Sequence, residues 1–368
     1  MVEDKGKRTH HKRPSHGKVT LSQLAQAAGV SLTTASFIMS GRDDQRISRE
    51  TATRVKKIAR EMGYRPNPLA RTLRTGKSEV IGLLSDYLVS TSHANAMISG
   101  AIDESREFRK LLMAADYKGD EKLETQLAQS FLDRQGDGIV FATMFTRRVK
   151  VPDILSTVPL VLLNCVDDSH PSLVSILPDE EQAGRDAARL LLDHGHTDRI
   201  AFAGNFSRGV YQGRIWKGMD SLALQERLAG IEESMAQAGH VLWKLITSDE
   251  WDIKSGRTIG REVCGWRQLP TAIICANDEL AVGVFQALWS QGIRVPEDIS
   301  LVSFDGSELA QAAVPQISSF QLPHQLLGTE AVRALLGKDK TRLTSSSGRR
   351  ILISMPLIEG NSVAVPRM

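Results

Sequence analysis

Seventeen of the chain's 46 Lys and Arg residues lie in residues 1–78, where six Asp and Glu oppose them. That segment carries a balance of +11 and the remainder −8, which together give the chain its net +3. A basic head on an acidic body has the electrostatics of a polyanion-binding module joined to a soluble domain. A solvated tail accounts equally well for residues 1–18, but Arg42 to Lys77 lie in patterned sequence. Inside the head, "GVSLTTASFIMSG" (29–41) holds five hydroxyl residues, Ser31, Thr33, Thr34, Ser36 and Ser40, and no charge. Such a stretch can read base edges by hydroxyl hydrogen bonds and methyl contacts, leaving phosphate attraction to Arg42, Arg49, Arg54 and Lys56.

Catalytic chemistry has no comparable footing. No GxSxG, HExxH or GxxxxGK[ST] pattern occurs. His10, His11 and His16 sit in the basic tail, and His194 and His196 flank a turn that reads as a helix C-terminus rather than a metal site. Cys165, Cys264 and Cys275 are odd in number and far apart, which fits free thiols in a reducing cytoplasm and no zinc site. No metal or cofactor is therefore expected. The opening "MVEDKGKRTHHKRPSHGK" lacks the apolar region of a secretory leader. No apolar run approaches the ~18–20 residues of a membrane span.

A helix of Ser and Thr needs partners, because these residues are weak helix formers. Thr20 and Gln23 have the spacing of a capping box, followed by Leu21, Leu24, Ala25 and Ala28 at helix spacing. Gly29 makes a tight turn, Ser31 caps a helix from Leu32 to about Met39, and Ser48 caps a third helix with the stripe Ala52, Val55, Ile58, Ala59, Met62. Val30, Ala35, Ile38 and Met39 should face inward, with Leu32, Thr33, Ser36 and Phe37 outward. Two helices across a short turn, supported by a third, form a helix-turn-helix. Pro66 and Pro68 then frame "PLARTLRTG", two turns that are too short to be stable alone in water.

From Glu79 onward, apolar runs of strand length alternate with helical stretches: "VIGLL" (80–84), "DGIVFA" (137–142), "VPLVLLN" (158–164), "DRIAFAG" (198–204), "TAIICAN" (271–277) and "ISLVSFD" (299–305). This is the βαβ pattern of open parallel sheets, and its length calls for two lobes. Ligands in such folds bind at the carboxyl ends of the strands.

"VTLSQLAQAAGVSLTTASFIMSG" followed by "ISRETATRVKKIAREMGYRPNPLARTLRTGKS" resembles the head of the lactose-repressor/galactose-repressor family of bacterial regulators. "LPDEEQAGRDAARLLLDHGHTDRIAFAG", "ERLAGIEESMAQAG" and "PTAIICANDELAVGVFQALWSQGIRVPEDISLVSFDG" resemble its effector-binding core, whose fold is that of periplasmic sugar-binding proteins. The resemblance implies a helix-turn-helix over 19–65, a hinge helix and linker over 66–78, and a two-lobed core over 79–368. Three crossings would place lobe one at about 79–197 and 323–346, and lobe two at about 198–322 and 347–362. It implies DNA contacts from Thr20, Ser31, Leu32, Thr33, Thr34, Ser36, Phe37, Arg42, Ser48, Tyr64, Asn67, Ala70, Arg71, Leu73 and Arg74, with Leu73 wedging a base step in the minor groove. At Phe37 the family often has Arg or His, so an apolar ring here suits a thymine methyl.

For the cleft the resemblance implies Asn164, Arg227, Trp251, Asn277 and Asp305, with Asp86, Thr91 and Ser92 after the first strand. Three of these and the hinge have a plainer reading: Asn277 as a helix cap, Arg227 as a surface arginine, Trp251 as core, and "PLARTLRTG" as a linker. The segment around 206–220, with Tyr211 and Trp216, is longer than the family pattern and reads as an extra loop at the cleft mouth. The function expected is a transcriptional repressor, a homodimer or higher oligomer on a pseudo-palindromic operator, controlled by a sugar-like effector. The alternatives are a solute-binding protein, which has no use for the head, and a sugar-active enzyme, which lacks a paired-carboxylate signature.

Overall fold

Caps and a shared core build the head. Thr20 and Gln23 close a reciprocal capping box on α1 (Leu21–Ala27), and Gly29 turns the chain at φ +64°. Ser31 Oγ accepts from the Thr34 amide to start α2 (Leu32–Met39), and Ser48 Oγ accepts from the Thr51 amide to start α3 (Arg49–Glu61). Leu24, Ala28, Ile38, Ala52, Val55 and Ala59 are buried together. Burying one such Leu, Ile or Val side chain is worth about 1.5–3 kcal/mol. The Ser and Thr of α2 cost at most about 0.7 kcal/mol each in propensity, so packing wins. The computed structural model describes residues 19–41, 47–66, 72, 76–91, 95–212, 217–337 and 349–367. The chain divides into two compact units, residues 1–78 and 79–368.

The body opens with β1 (Val80–Ser85), α4 (Asn95–Glu107), β2 (Leu111–Asp116), α5 (Glu121–Asp133), β3 (Ile139–Arg148), β4 (Leu160–Val166) and β5 (Val174–Pro178). There follow α6 (Glu180–Asp193), β6 (Ile200–Asn205), a short pair β7 (Val210–Tyr211) and β8 (Met219–Asp220), α7 (Leu222–Gln237), β9 (Lys244–Thr247) and α8 (Ile253–Cys264). The chain closes with β10 (Ala272–Cys275), α9 (Asp278–Ser290), β11 (Ser300–Asp305), α10 (Glu308–Gln311), β12 (Ser318–Gln321), α11 (His324–Leu336), β13 (Arg350–Ile353) and β14 (Leu357–Ile358).

Two six-stranded sheets result. Lobe one has the order β13-β5-β4-β3-β1-β2, and all its pairings are parallel. Lobe two has the order β14-β12-β11-β10-β6-β9, parallel except for the antiparallel β12–β14 edge. Alternation splits the strand residues of lobe one between two faces. Ile81 and Leu83 pack with Met97 of α4 and Leu327 of α11. Leu84 and Phe141 pack with Ala128 of α5 on the other face.

Two lobe boundaries differ from those expected. Helix α6 lies inside the expected lobe one, yet its stripe of Ala183, Ala187, Ala188 and Leu191 packs into the core of lobe two. The first crossing is therefore near Pro178, not 197. Strand β13, expected in lobe two, pairs with β5 in lobe one, and the chain returns only at Met355, buried in the second core. A helix joining two strands carries no mark of which sheet its apolar stripe will cover, and β13 is four residues long. The exposed strand β2 and the short strands β5, β9, β12 and β14 likewise carry no long apolar run to mark them.

Helices α4 and α11 meet backbone to backbone. A Cβ on Gly328 would lie 1.9 Å from the Met97 carbonyl oxygen, and one on Gly100 2.0 Å from that of Gln325. Gly328→Ala should therefore lower stability by about 1–3 kcal/mol through overpacking, read from the urea midpoint. Gly265→Ala, at an αR helix end with no atom nearer than 3.4 Å, should stay within about 0.5 kcal/mol.

Candidate functional site

The head presents an uncharged face between basic flanks. On α2, Ala35 and Ile38 are buried, while Leu32 and Phe37 are 53% and 42% exposed and Thr33 is exposed beside them. Thr34 is half-buried, and its hydroxyl meets that of Ser31 at 2.8 Å. Ser36 is half-buried, and Thr20 and Ser48 act as caps. Tyr64 packs against the head core, and burial raises its phenol pKa. Arg49, Arg54, Lys56 and Lys57 are exposed along α3. Arg42, Asn67, Ala70, Arg71, Leu73, Arg74 and Ser92 lie outside the described residues.

In lobe one the expected cleft residues stand at or near strand ends and are tied to the β3 terminus. Asp86, fully buried after β1, accepts from the Tyr87 and Met144 amides at 2.7 and 2.9 Å and from Arg147 Nη2 at 3.1 Å. Burial raises its pKa, and Arg147 and the two amides oppose that rise. Asn164 lies two residues before the end of β4, at φ +62°. Its side-chain Oδ1 accepts from Thr146 Oγ1 at 2.6 Å, and its Nδ2 donates to the Thr143 and Met144 carbonyls. Asn164 therefore holds the β3 end in place and is occupied with protein partners. Thr91 Oγ1 donates to the Met144 sulfur at 3.2 Å. Arg147, Tyr117 and Glu124 belong to this cluster and had not been singled out in the sequence. Nothing local marks them: Arg147 lies past the apolar stretch of β3, Tyr117 just after β2 and Glu124 on α5.

In lobe two Arg227 is not the surface arginine that its sequence context allows. It is 3% exposed, and its Nε and Nη2 donate to the two oxygens of Glu180 at 2.5 and 3.1 Å. Its Nη1 donates to the Ala276 carbonyl at 2.6 Å, and the guanidinium lies 4.5 Å over the Phe304 ring. Trp251 donates Nε1–H to the Gly204 carbonyl at 2.7 Å. Phe206 stacks on it at 4.8 Å, and Tyr211 meets Phe206 edge-on at 4.9 Å. Part of the aromatic surface expected to receive a ligand is thus covered by the chain's own ring. Asn277 accepts from the Leu280 amide as the cap of α9 and donates to the Trp251 carbonyl.

Asp305 differs from these. It ends β11 at φ +112°, outside the region that most side chains tolerate. Its carboxylate takes no hydrogen bond from any described residue. Burial raises its pKa well above the ordinary range, as do Asp278, Glu180 and Glu279, and Arg227 opposes them. Asp278 is itself fully engaged, accepting from Ser303, Ser319 and the Ser307 amide.

The extra segment is built as a hairpin whose strands are β7 and β8; residues 213–216, with Trp216, lie outside the described residues. It ties the lobes together. The backbone of Arg147 in lobe one bridges Ser221 just past β8. Arg148 Nη1 reaches Asp220 at 3.2 Å and Gln225 at 3.3 Å. Arg350 of lobe one meets Glu226 of α7 at 3.2 Å.

Residues 20–67 match the family described as bacterial regulatory proteins, lacI family, and residues 193–363 match a periplasmic binding protein-like domain. The chain is 32% identical over 327 residues to the HTH-type transcriptional regulator AscG of Escherichia coli (strain K12), covering 87% of this chain and 90% of that one. It is 28% identical over 335 residues to the HTH-type transcriptional repressor PurR of Vibrio parahaemolyticus, covering 88% and 92%. A solved lac repressor dimer, bound to operator and the anti-inducer ONPF, shares the fold with a TM-score of 0.77 at 22% identity, over 94% of this chain and 99% of that one.

The lobe-one cluster has a pH signature. Burial pushes the Glu124 carboxyl from its ordinary 4.5 up to about 7, against a hydrogen bond from Tyr117 and the charge of Arg147. A carboxyl whose folded pKa is raised contributes stability that is fully present below the unfolded pKa and is lost as pH rises through the folded one. Melting temperature should therefore fall as pH climbs from about 4.5 to about 7. Glu124→Gln should flatten that part of the profile, and a parallel profile in the variant would contradict the assignment.

Proposed function

Because the chain belongs to the lacI family of bacterial regulatory proteins and is a DNA-binding transcriptional repressor, we propose that a sugar-like effector, held between the two lobes, sets its grip on a pseudo-palindromic operator in the cytoplasm. The observation that carries the effector reading is Asp305. A strained strand-end carboxylate that no described residue satisfies is a two-oxygen acceptor for sugar hydroxyls. Fixing it costs on the order of 1–3 kcal/mol in backbone strain. Asn277, Trp251 and the Phe206–Tyr211 rings would form the wall beside it.

Operator reading rests on the uncharged exposed face of α2, with phosphate attraction supplied by α3. Two heads would be needed, since one recognition helix reads few bases. A second copy is supported by apolar side chains left in the open. Leu111 and Met113 on the edge strand β2 are 61% and 46% exposed, Ile102 on α4 is 42% exposed, and Trp289 near the end of α9 is 63% exposed. An edge strand bearing Leu and Met is a surface that chains tend to cover. Control follows if the effector binds one arrangement of the lobes better than the other, and a difference of a few kcal/mol suffices. The hairpin contacts at Arg147 and Arg148 are the links such a movement would have to make or break.

Asp305→Asn should abolish release or recruitment by the effector in a gel-shift titration while operator affinity without effector stays unchanged. A wild-type response in the variant removes Asp305 from the site. Phe37→Ala should weaken operator binding by about 1–3 kcal/mol, the scale of one lost base contact, with non-specific DNA binding unaltered. Equal losses on both DNAs would mean that Phe37 only supports the fold.

A further inference from the structure

We propose that Glu180 sets the charge class of the effector, by occupying Arg227 and so restricting the cleft to polyols that are neutral or amine-bearing and excluding anions. The inference rests on the cleft reading above. A guanidinium at the carboxyl ends of β10 and β11 is a suitable receptor for a carboxylate or phosphate, because its planar fork matches two oxygens at once. Here one edge of that fork is taken, three of its five N–H groups are engaged and its charge is already answered. Glu180 takes Nε–H and one Nη2–H through its two oxygens, and the Ala276 carbonyl takes Nη1–H. The pair is buried at both ends, with side chains 4% and 2% exposed, so no incoming anion displaces Glu180 without leaving a carboxylate buried and unpaired.

What remains beyond the pair is negative. Asp278 and Asp305 stand on the same wall, and Asp305 experiences Asp278, Glu180 and Glu279 as like charges against the single opposing Arg227. The ligand-facing group is thus a carboxyl among carboxylates that already raise its pKa, so a further negative charge beside it is disfavoured. It suits hydroxyl or ammonium donors and repels a uronate or a sugar phosphate. In lobe one, Asp86 and Arg147 also neutralise each other, so no unpaired cation among these residues offsets the excess.

The test uses the full-length protein in a thermal-shift and calorimetric panel of hexoses, pentoses and disaccharides, each beside its amino-sugar, uronate and phosphate counterpart. A neutral or amino sugar should bind, and its uronate or phosphate should bind roughly 100-fold more weakly or not at all. Salt dependence separates the two permitted classes, since only ammonium binding weakens as salt rises. Glu180→Gln should gain at least about tenfold for the uronate, because the Arg227 charge is then no longer neutralised within the protein. A wild-type protein that binds a uronate or sugar phosphate as tightly as the parent sugar overturns the inference while leaving the cleft reading intact. An unchanged anion preference in folded Glu180→Gln removes Glu180 from the role. Absence of binding by every panel member removes the sugar reading, and the inference with it. The wild-type comparison stands even where the variant fails to fold.

Discussion

The contact on which the second lobe turns is the buried fork between Arg227 and Glu180. Four elements end at it: the first residue of α6, the second turn of α7, the residue after β10 and the Phe304 ring of β11. The helices can bring the pair together only because their backbones touch. A Cβ on Gly184 would lie 2.2 Å from the Arg227 carbonyl oxygen, and one on Gly230 2.0 Å from that of Glu181. Measured against a hydrophobic pair of the same volume, such an ion pair adds little net stability. Removing one partner costs about 3–5 kcal/mol, because the other is left charged in a dry site. Its value is therefore positional: it holds the strand-end wall in one arrangement.

Lobe one solves the same problem differently. Asp86 and Arg147 form its buried pair, but Arg147 also lends its backbone to lobe two at Ser221. A side chain fixed within one lobe and a main chain shared with the other make this residue a joint between them. In the head the division of labour is by charge. The helix expected to read bases carries none, and the neighbouring helix supplies Arg49, Arg54, Lys56 and Lys57. Such a surface attracts DNA from any direction, and discrimination is left to short-range contacts.

Much of this was legible in the sequence, and what was not has physical reasons. The caps Thr20, Ser31 and Ser48 and the turn at Gly29 are local, so residue type and spacing place them. The long apolar strands were equally readable, because burial on both faces leaves a continuous run. Pairings across the fold were not. Glu180 stands 47 residues from Arg227, and nothing in "DEEQAG" or "ERLAG" announces that they will neutralise each other. Asn164 and Asp305 were both singled out at strand ends. Only the structure separates them, one occupied by Thr146, Thr143 and Met144, the other without a partner among the described residues. The extra segment was recognised by length alone, and its packing of Tyr211 against Phe206 and its bridge to β3 depend on contacts that no spacing encodes.

The three crossings between the lobes carry a consequence for how the protein is made. Lobe one acquires its helix α11 and its edge strand β13 only from residues 324–336 and 350–353, and lobe two closes its sheet with β14 at 357–358. A chain emerging from the ribosome can complete its head early, because that core draws on local contacts alone. Both lobes must wait until residues 350–358 have been added. During that interval a DNA-binding head is tethered to an unfinished body with open sheet edges, the situation in which chaperones matter most. Loss of residues 350–358 would therefore disable not one lobe but both.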